Sequence, residues 1–249
     1  MADYNSLNAH PRDKYIKFTL STHSYEVCMP DTEPVCCDSV TQVVEQCFKQ
    51  FDADYWAQRK ATPTCTAQML KDMWAAKGEE ARRLGTELHD RIERHYLGEE
   101  PTPEALADRG FRHFLDFDSR YRLKPFRSEW RIFSEKYRIA GTLDFLAFDG
   151  EKFVIYDWKR SLKVVDKNGK PITANPYGSR AFAPVEHLDD TTFNHYALQV
   201  SLYRYILKEE YNIDVHNCYL GVFHPELDNY ALVSLPYLEE EVKAILRRR

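Results

Sequence analysis

GTLDFLAFDGEKFVIYDWKRS, residues 141–161, carries the reading of the fold. Two apolar runs flank Asp149-Gly150, a pair whose tolerance of positive φ suits a tight hairpin turn. Taking Asp149 and Gly150 as the two turn residues pairs Phe148 with Glu151 and Asp144 with Ile155. Side chains alternate along a strand, so Asp157 and then Lys159 point to the same face as Asp144. Leu146, Phe148, Phe153 and Ile155 share that face, while Leu143, Phe145, Val154, Tyr156 and Trp158 line the other. Strands apolar on both faces are covered on both, so a sheet between layers of helix is expected.

The polar residues of this stretch bear on chemistry. A carboxylate on a covered strand is costly unless it is paired or holds a metal, and two of them repel each other. A hard cation such as magnesium or manganese takes oxygen ligands and resolves both problems. Such an ion polarises a phosphate oxygen and acidifies a bound water, and an adjacent ammonium steadies charge that develops on phosphate. Asp144, Asp157 and Lys159 therefore form a candidate metal-assisted hydrolytic site. The competing reading is a buried Asp–Lys–Asp ion network that only holds the sheet together.

Working outward, residues 15–28 read as a short strand or hairpin, and Ser39 with Gln42 as a capping box opening a helix over 39–51. Further helices are expected at 53–59, at 66–77 with Met69, Met73 and Trp74 inward, at 85–97 and at 103–121. Strands follow at 127–134, 137–148 and 152–158. A polar segment at 162–190 contains Asn168-Gly169, a small hairpin signal. A helix over 192–210, strands at 215–223 and 230–235 and a helix at 237–246 close the chain. The fold class is α/β: a mixed central sheet of four or five strands flanked by helices. An N-terminal helical region over 1–84 packs on a core over 85–249 that carries an insertion at 162–190.

This pattern resembles the PD-(D/E)XK nuclease superfamily, whose core is an Asp, a hairpin and then (D/E)-x-K, here Asp144 and Asp157-Trp158-Lys159. Two flanking motifs are similar to its RecB-like branch: G-T-x-x-H-x-x-I-E at Gly85-Thr86-Glu87-Leu88-His89-Asp90-Arg91-Ile92-Glu93, and Q-x-x-x-Y at Gln199 and Tyr203. The likeness covers about half the chain, from Gly85 to Leu207, and is nearest to the mitochondrial genome maintenance exonuclease type and its viral and phage relatives. It implies a restriction-endonuclease-like core. It also implies that His89, Asp144, Asp157 and the main-chain carbonyl of Trp158 ligate Mg2+ or Mn2+, with Glu129 a further acidic residue on the first strand. Lys159 is implied as the catalytic lysine, and Gln199 and Tyr203 as residues that order the substrate. The implied activity is hydrolysis of DNA, as an exonuclease on single-stranded ends. A site-specific or structure-specific endonuclease, or a silent DNA-binding module, are the rival readings. Arg160 stands where the branch commonly has Thr, and an altered backbone or DNA contact is expected there. Some relatives carry an iron–sulfur cluster, but only Cys218 follows the core here, so no iron–sulfur cluster is expected.

Composition fits these limits. The 249 residues carry a formal net charge of -5, which argues against a protein that coats duplex DNA through a broad basic face. A nuclease departs from that rule because its carboxylates hold metal that supplies local positive charge. The six cysteines contain no CxxC pair, and the first ten residues lack the apolar stretch of a secretory signal. Free thiols in a reducing compartment are the expectation. No membrane span is expected. Tyr177 and Phe182, in the insertion, are candidates for stacking on unpaired bases.

Overall fold

The computed structural model of the chain describes residues 3–30 and 32–249. A short helix α1 (Tyr4–Leu7) precedes a hairpin of β1 (Ile16–Thr19) and β2 (Ser24–Val27), then β3 (Val35–Ser39). Helices α2 (Val40–Glu45), α3 (Ala53–Lys60), α4 (Ala67–Tyr96), α5 (Pro103–Ala107) and α6 (Arg109–Tyr121) follow. Strands β4 (Pro125–Ser134), β5 (Ile139–Phe148) and β6 (Phe153–Lys159) form the central meander. The chain then runs through α7 (Thr192–Tyr211), β7 (Val215–Val222), β8 (Ala231–Ser234) and α8 (Glu239–Leu246).

The expected α/β class holds, but the sheet is larger than anticipated. Among the described residues it has eight strands, in the order β1-β2-β3-β5-β6-β7-β8 with β4 also on β5. The extra strands come from the region expected to be helical: β1 to β3 extend the sheet, and β3 joins β5 in parallel at Asp38–Ile139 and Ser39–Ala140. The boundary expected at residue 84 falls inside α4, which is continuous over 30 residues. The two helices anticipated at 66–77 and 85–97 are one, because the polar stretch between them is held by ion pairs from Arg83 to Glu80 and Glu87 rather than by an apolar stripe. Only Leu88 and Ile92 of α4 are buried, so its first half stands off the core, and Met69 and Met73 are exposed rather than inward.

Two helix ends also differ. The capping box at Ser39 and Gln42 forms, but α2 stops at Glu45 instead of running to residue 51. The helix expected over 103–121 breaks at Asp108, which leaves helical geometry and accepts from the Gly110 N–H to cap α6.

Two apolar layers enclose the sheet. Helices α2, α7 and α8 pack on one face through Val40, Val44, Leu198, Leu202, Ile206 and Val242, against Ile132, Leu143, Leu146 and Ile155. Helices α4 and α6 pack on the other through Leu88, Ile92, Phe111, Phe114 and Phe117, against Phe145, Tyr156 and Trp158.

Strand β5 holds the key departure. Phe148 pairs with Phe153 and Leu146 with Ile155, so four residues, 149–152, turn the chain rather than two. The slip is two residues, which preserves side-chain parity and leaves Asp144 and Asp157 facing alike. One edge of β5 is covered along its length by β4. The other edge is shared: β3 takes Ile139 and Ala140, and β6 takes Phe145 to Phe148. Residues 141–144 are left without a strand partner on that edge.

Candidate metal centre

Asp144 and Asp157 lie where β5 and β6 part. Their ladder ends at Phe145 and Tyr156, one residue short of both carboxylates. The Trp158 N–H donates to Asp144 Oδ2 at 2.8 Å, so the side chain replaces the strand partner that the splay removes. Alternation in β5 also breaks here. Leu143 joins the same apolar layer as Leu146, three positions on, and not that of Phe145 as strict alternation predicts. Across the ladder from Asp144, between the pairs Ser128–Phe145 and Trp130–Leu143, Glu129 sits at φ 45°. A left-handed glutamate within a strand is strained by about 1–2 kcal/mol, a strain that recurs at functional sites.

The third contributor comes from α4. His89 Nε2 lies 2.9 Å from the Trp158 carbonyl oxygen and 3.8 Å from Asp144 Oδ2, and Nδ1 lies 3.5 Å from Glu129 Oε1. Candidate ligand atoms of His89, Glu129 and Asp144 fall within 4.8 Å of one another. His89 is placed there because Leu88 and Ile92, its neighbours on α4, are buried against Phe145 and Trp158.

Lys159 joins the two aspartates. Its Nζ is 2.5 Å from Asp157 Oδ2 and 3.9 Å from Asp144 Oδ2. The Tyr196 ring of α7 lies 4.6 Å from the same ammonium. Asp157 is 1% exposed, and neither oxygen meets a well-directed hydrogen-bond donor. Burial and the nearby Asp144 raise its pKa, with Lys159 opposing them. Burial alone would lower Lys159, but Asp157 and Asp144 outweigh it, so the ammonium is held charged.

Gln199 and Tyr203 meet each other, Nε2 donating to the phenol oxygen at 3.3 Å, but neither hydrogen-bonds to the aspartates or to Lys159. Tyr203 is buried against β5 at Gly141, where a Cβ would come within 2.7 Å of the ring, so Gly141 is required for the close approach of α7. Arg160 turns to Asp108 instead of toward Asp144 and Asp157. Its side chain is 14% exposed and directed to Asp108 Oδ1 at 3.4 Å, which places it inside the protein rather than on an open DNA-binding face. Tyr196, on the helix expected over 192–210, is a site residue that the sequence reading did not single out. Its position three residues before Gln199 was the available signal.

The arrangement fits a hard divalent ion. Carboxylates, a main-chain carbonyl and an imidazole converge, and a buried carboxylate lacks directed donors. Of the residues anticipated as ligands, His89, Asp144 and the Trp158 carbonyl cluster, joined by Glu129. Asp157 is drawn to Lys159.

Burial lowers the His89 pKa, but Asp144 and Glu129 overcome that and push it up to about 9. An ion that uses this imidazole must displace its proton. Affinity for Mn2+ is therefore expected to rise as pH climbs from about 6.5 to 9, with proton release at neutral pH, measured by titration calorimetry in buffers of differing ionisation enthalpy. The same shift gives the metal-free fold stability that is fully present below pH about 6.5 and lost as pH rises through 9. An affinity independent of pH, or one equally pH-dependent in His89→Ala, would remove His89 from the ligand set.

No family model matches this chain, and neither does any curated protein. Among solved structures, one titled "Crystal structure of SSO0001" aligns over 84% of this chain and 71% of its own, at 13% identity and a TM-score of 0.33, too low to support an argument.

Proposed function

We propose that this protein is a divalent-metal-dependent deoxyribonuclease that hydrolyses phosphodiester bonds at single-stranded ends. The observation that carries the reading is the convergence of Asp144 and Asp157 on Lys159 where two strands part, with His89, Glu129 and the Trp158 carbonyl alongside. These are the residues singled out by the resemblance to the RecB-like nucleases, which supports the DNA substrate and the action on ends.

Asp144, Glu129, His89 and the Trp158 carbonyl would hold the metal, with Asp157 at the same strand end. The bound ion supplies Lewis acidity toward phosphate and toward water. Lys159 holds a positive charge at Nζ beside both aspartates, placed to orient water and to offset charge growing on phosphate. Asp144 fixes the Asp157–Trp158 peptide by accepting the Trp158 N–H. Tyr196 closes one side of the ammonium. Gln199 and Tyr203 brace α7 against β5, which sets where Tyr196 stands.

Digestion of end-labelled linear and closed circular single-stranded DNA tests the proposal, with magnesium, with manganese and with chelator. Shortening of the linear strand that requires metal, with the circle spared, is expected. Cutting of the circle at a comparable rate would replace the exonuclease by an endonuclease. Cleavage that survives chelation would overturn the metal mechanism.

A further inference from the structure

A cleft of ≈ 1020 Å³ lies apart from the metal centre, between the segment around α3, the first half of α4 and the 162–190 insertion. Its walls carry the rings of Phe51, Tyr55, Trp56, Trp74 and Tyr177. Phe51, Tyr55 and Trp56 are exposed, and Tyr177 is 93% exposed. Such rings are ordinarily buried, so this many open to one cleft mark a contact surface. Phe51 and Trp74 meet edge to face at 5.5 Å, and Tyr55 and Trp56 at 5.2 Å, which fixes the rings relative to one another.

Charge distinguishes what such a surface takes. Lys49 and Lys60 line the same cleft. The ion pair in this neighbourhood, Lys71–Asp54 at 2.8 Å, leaves both out, and Lys60 Nζ lies 5.7 Å from the Trp56 ring. Two carboxylates also line the cleft: Asp52 accepts the Tyr55 N–H at 2.9 Å as the cap of α3, and Asp190 meets His195 Nε2 at 2.8 Å. Flat rings beside uncommitted ammonium groups match an unpaired nucleic-acid strand, whose bases stack while its phosphates need cations. Two elements tie the cleft to the metal centre. Trp74 and His89 share α4, about 22 Å apart along its axis at the helical rise per residue. His195 adjoins Tyr196, whose ring lies against Lys159.

We propose that this cleft is a second, non-catalytic subsite for single-stranded DNA, holding the strand away from the cleaved bond. The proposal rests on the reading of the protein as a nuclease acting on single strands. Bases stack on Tyr55, Trp56 and Tyr177, and backbone phosphates meet Lys49 and Lys60.

The test is binding of fluorescein-labelled oligodeoxythymidylate to the full chain in chelator, followed by fluorescence anisotropy across a range of salt. Wild type is expected to bind the strand in preference to a duplex. Tyr177→Ala and Tyr55→Ala, both at exposed positions that leave the fold intact, are each expected to weaken binding about tenfold. Lys49→Ala and Lys60→Ala are each expected to reduce the slope of log affinity against log salt by about 0.7. Metal-dependent hydrolysis of a small bis-nitrophenyl phosphodiester should be the same in all four variants as in wild type. Failure of wild type to bind the strand would overturn the proposal and leave an apolar protein segment as the occupant. Unchanged affinity in both tyrosine variants would also overturn it. If wild type shows no metal-dependent cleavage while the binding losses appear, the nuclease reading falls and the strand-binding cleft stands.

Discussion

Lys159→Ala is expected to lower metal-dependent DNA cleavage by about 10²–10³-fold while the protein remains folded. The ammonium stands 2.5 Å from one aspartate and 3.9 Å from the other, so it brings a fixed positive charge to both carboxylates of the proposed reaction centre. Its removal acts twice. Phosphate loses a fixed charge, and Asp157, buried without a directed donor, is left facing Asp144. The second effect predicts that Lys159→Ala melts below wild type without metal at neutral pH, and that Mn2+ recovers much of the difference. Lys159→Met gives a control of similar volume. Should either variant retain wild-type cleavage, the lysine is part of a structural ion network and the catalytic assignment fails. Loss of cleavage with no change in metal-free stability would separate the two roles and limit Lys159 to chemistry.

The second large effect is on stability. Asp108 takes Arg91 Nη1 at 2.7 Å on one oxygen and, on the other, caps α6 through Gly110 at 3.0 Å and meets Arg160 at 3.4 Å. It thereby ties α4, α6 and the end of β6 together. Asp108→Ala removes the cap and strands the largely covered Arg160 guanidinium, while Arg91 keeps only Glu87 at 3.6 Å. Arg160 Nε already lacks a partner. Breaking a buried pair from one side costs about 3 kcal/mol at the low end, the relevant end here because both arginines retain some solvent. At about 2–4 °C per kcal/mol for a chain of this size, the melting temperature should fall by about 6–12 °C. Asp108→Asn keeps the cap and should lose less. Turnover measured well below the melting range should stay near that of wild type, since Asp108 contacts none of His89, Glu129, Asp144, Asp157 and Lys159. A fall of under 2 °C by scanning calorimetry would show that the cluster is solvent-screened and contributes little.

What the sequence disclosed follows from which signals are local. The parity of Asp144, Asp157 and Lys159 survived an incorrect turn, because replacing a two-residue by a four-residue connection shifts the register by an even number. The Leu143 face was misjudged for the opposite reason. Its side depends on a break in alternation at Asp144 and on the left-handed backbone of Glu129, and neither has a signature in residue type. His89 could be linked to the centre only by resemblance, since a histidine on a helix says nothing about which strand that helix crosses. The continuity of α4 was hidden because its middle is polar and stands off the core, so no apolar stripe marks it. The strands before residue 40 were partly legible as a hairpin, but their addition to the main sheet depends on two long-range pairs, Asp38–Ile139 and Ser39–Ala140. The aromatic cleft draws on segments from residue 49 to residue 190. Of its rings, Tyr177 alone had been marked in the sequence for stacking.

Crystals soaked in manganese and measured for anomalous scattering address the central claim most directly. One strong peak is predicted against the Asp144 carboxylate and the Trp158 carbonyl oxygen, with Glu129, His89 or Asp157 completing its shell. Manganese bound only elsewhere, or a centre that keeps the 2.5 Å contact between Lys159 and Asp157 and takes up no ion at millimolar concentration, would contradict the account.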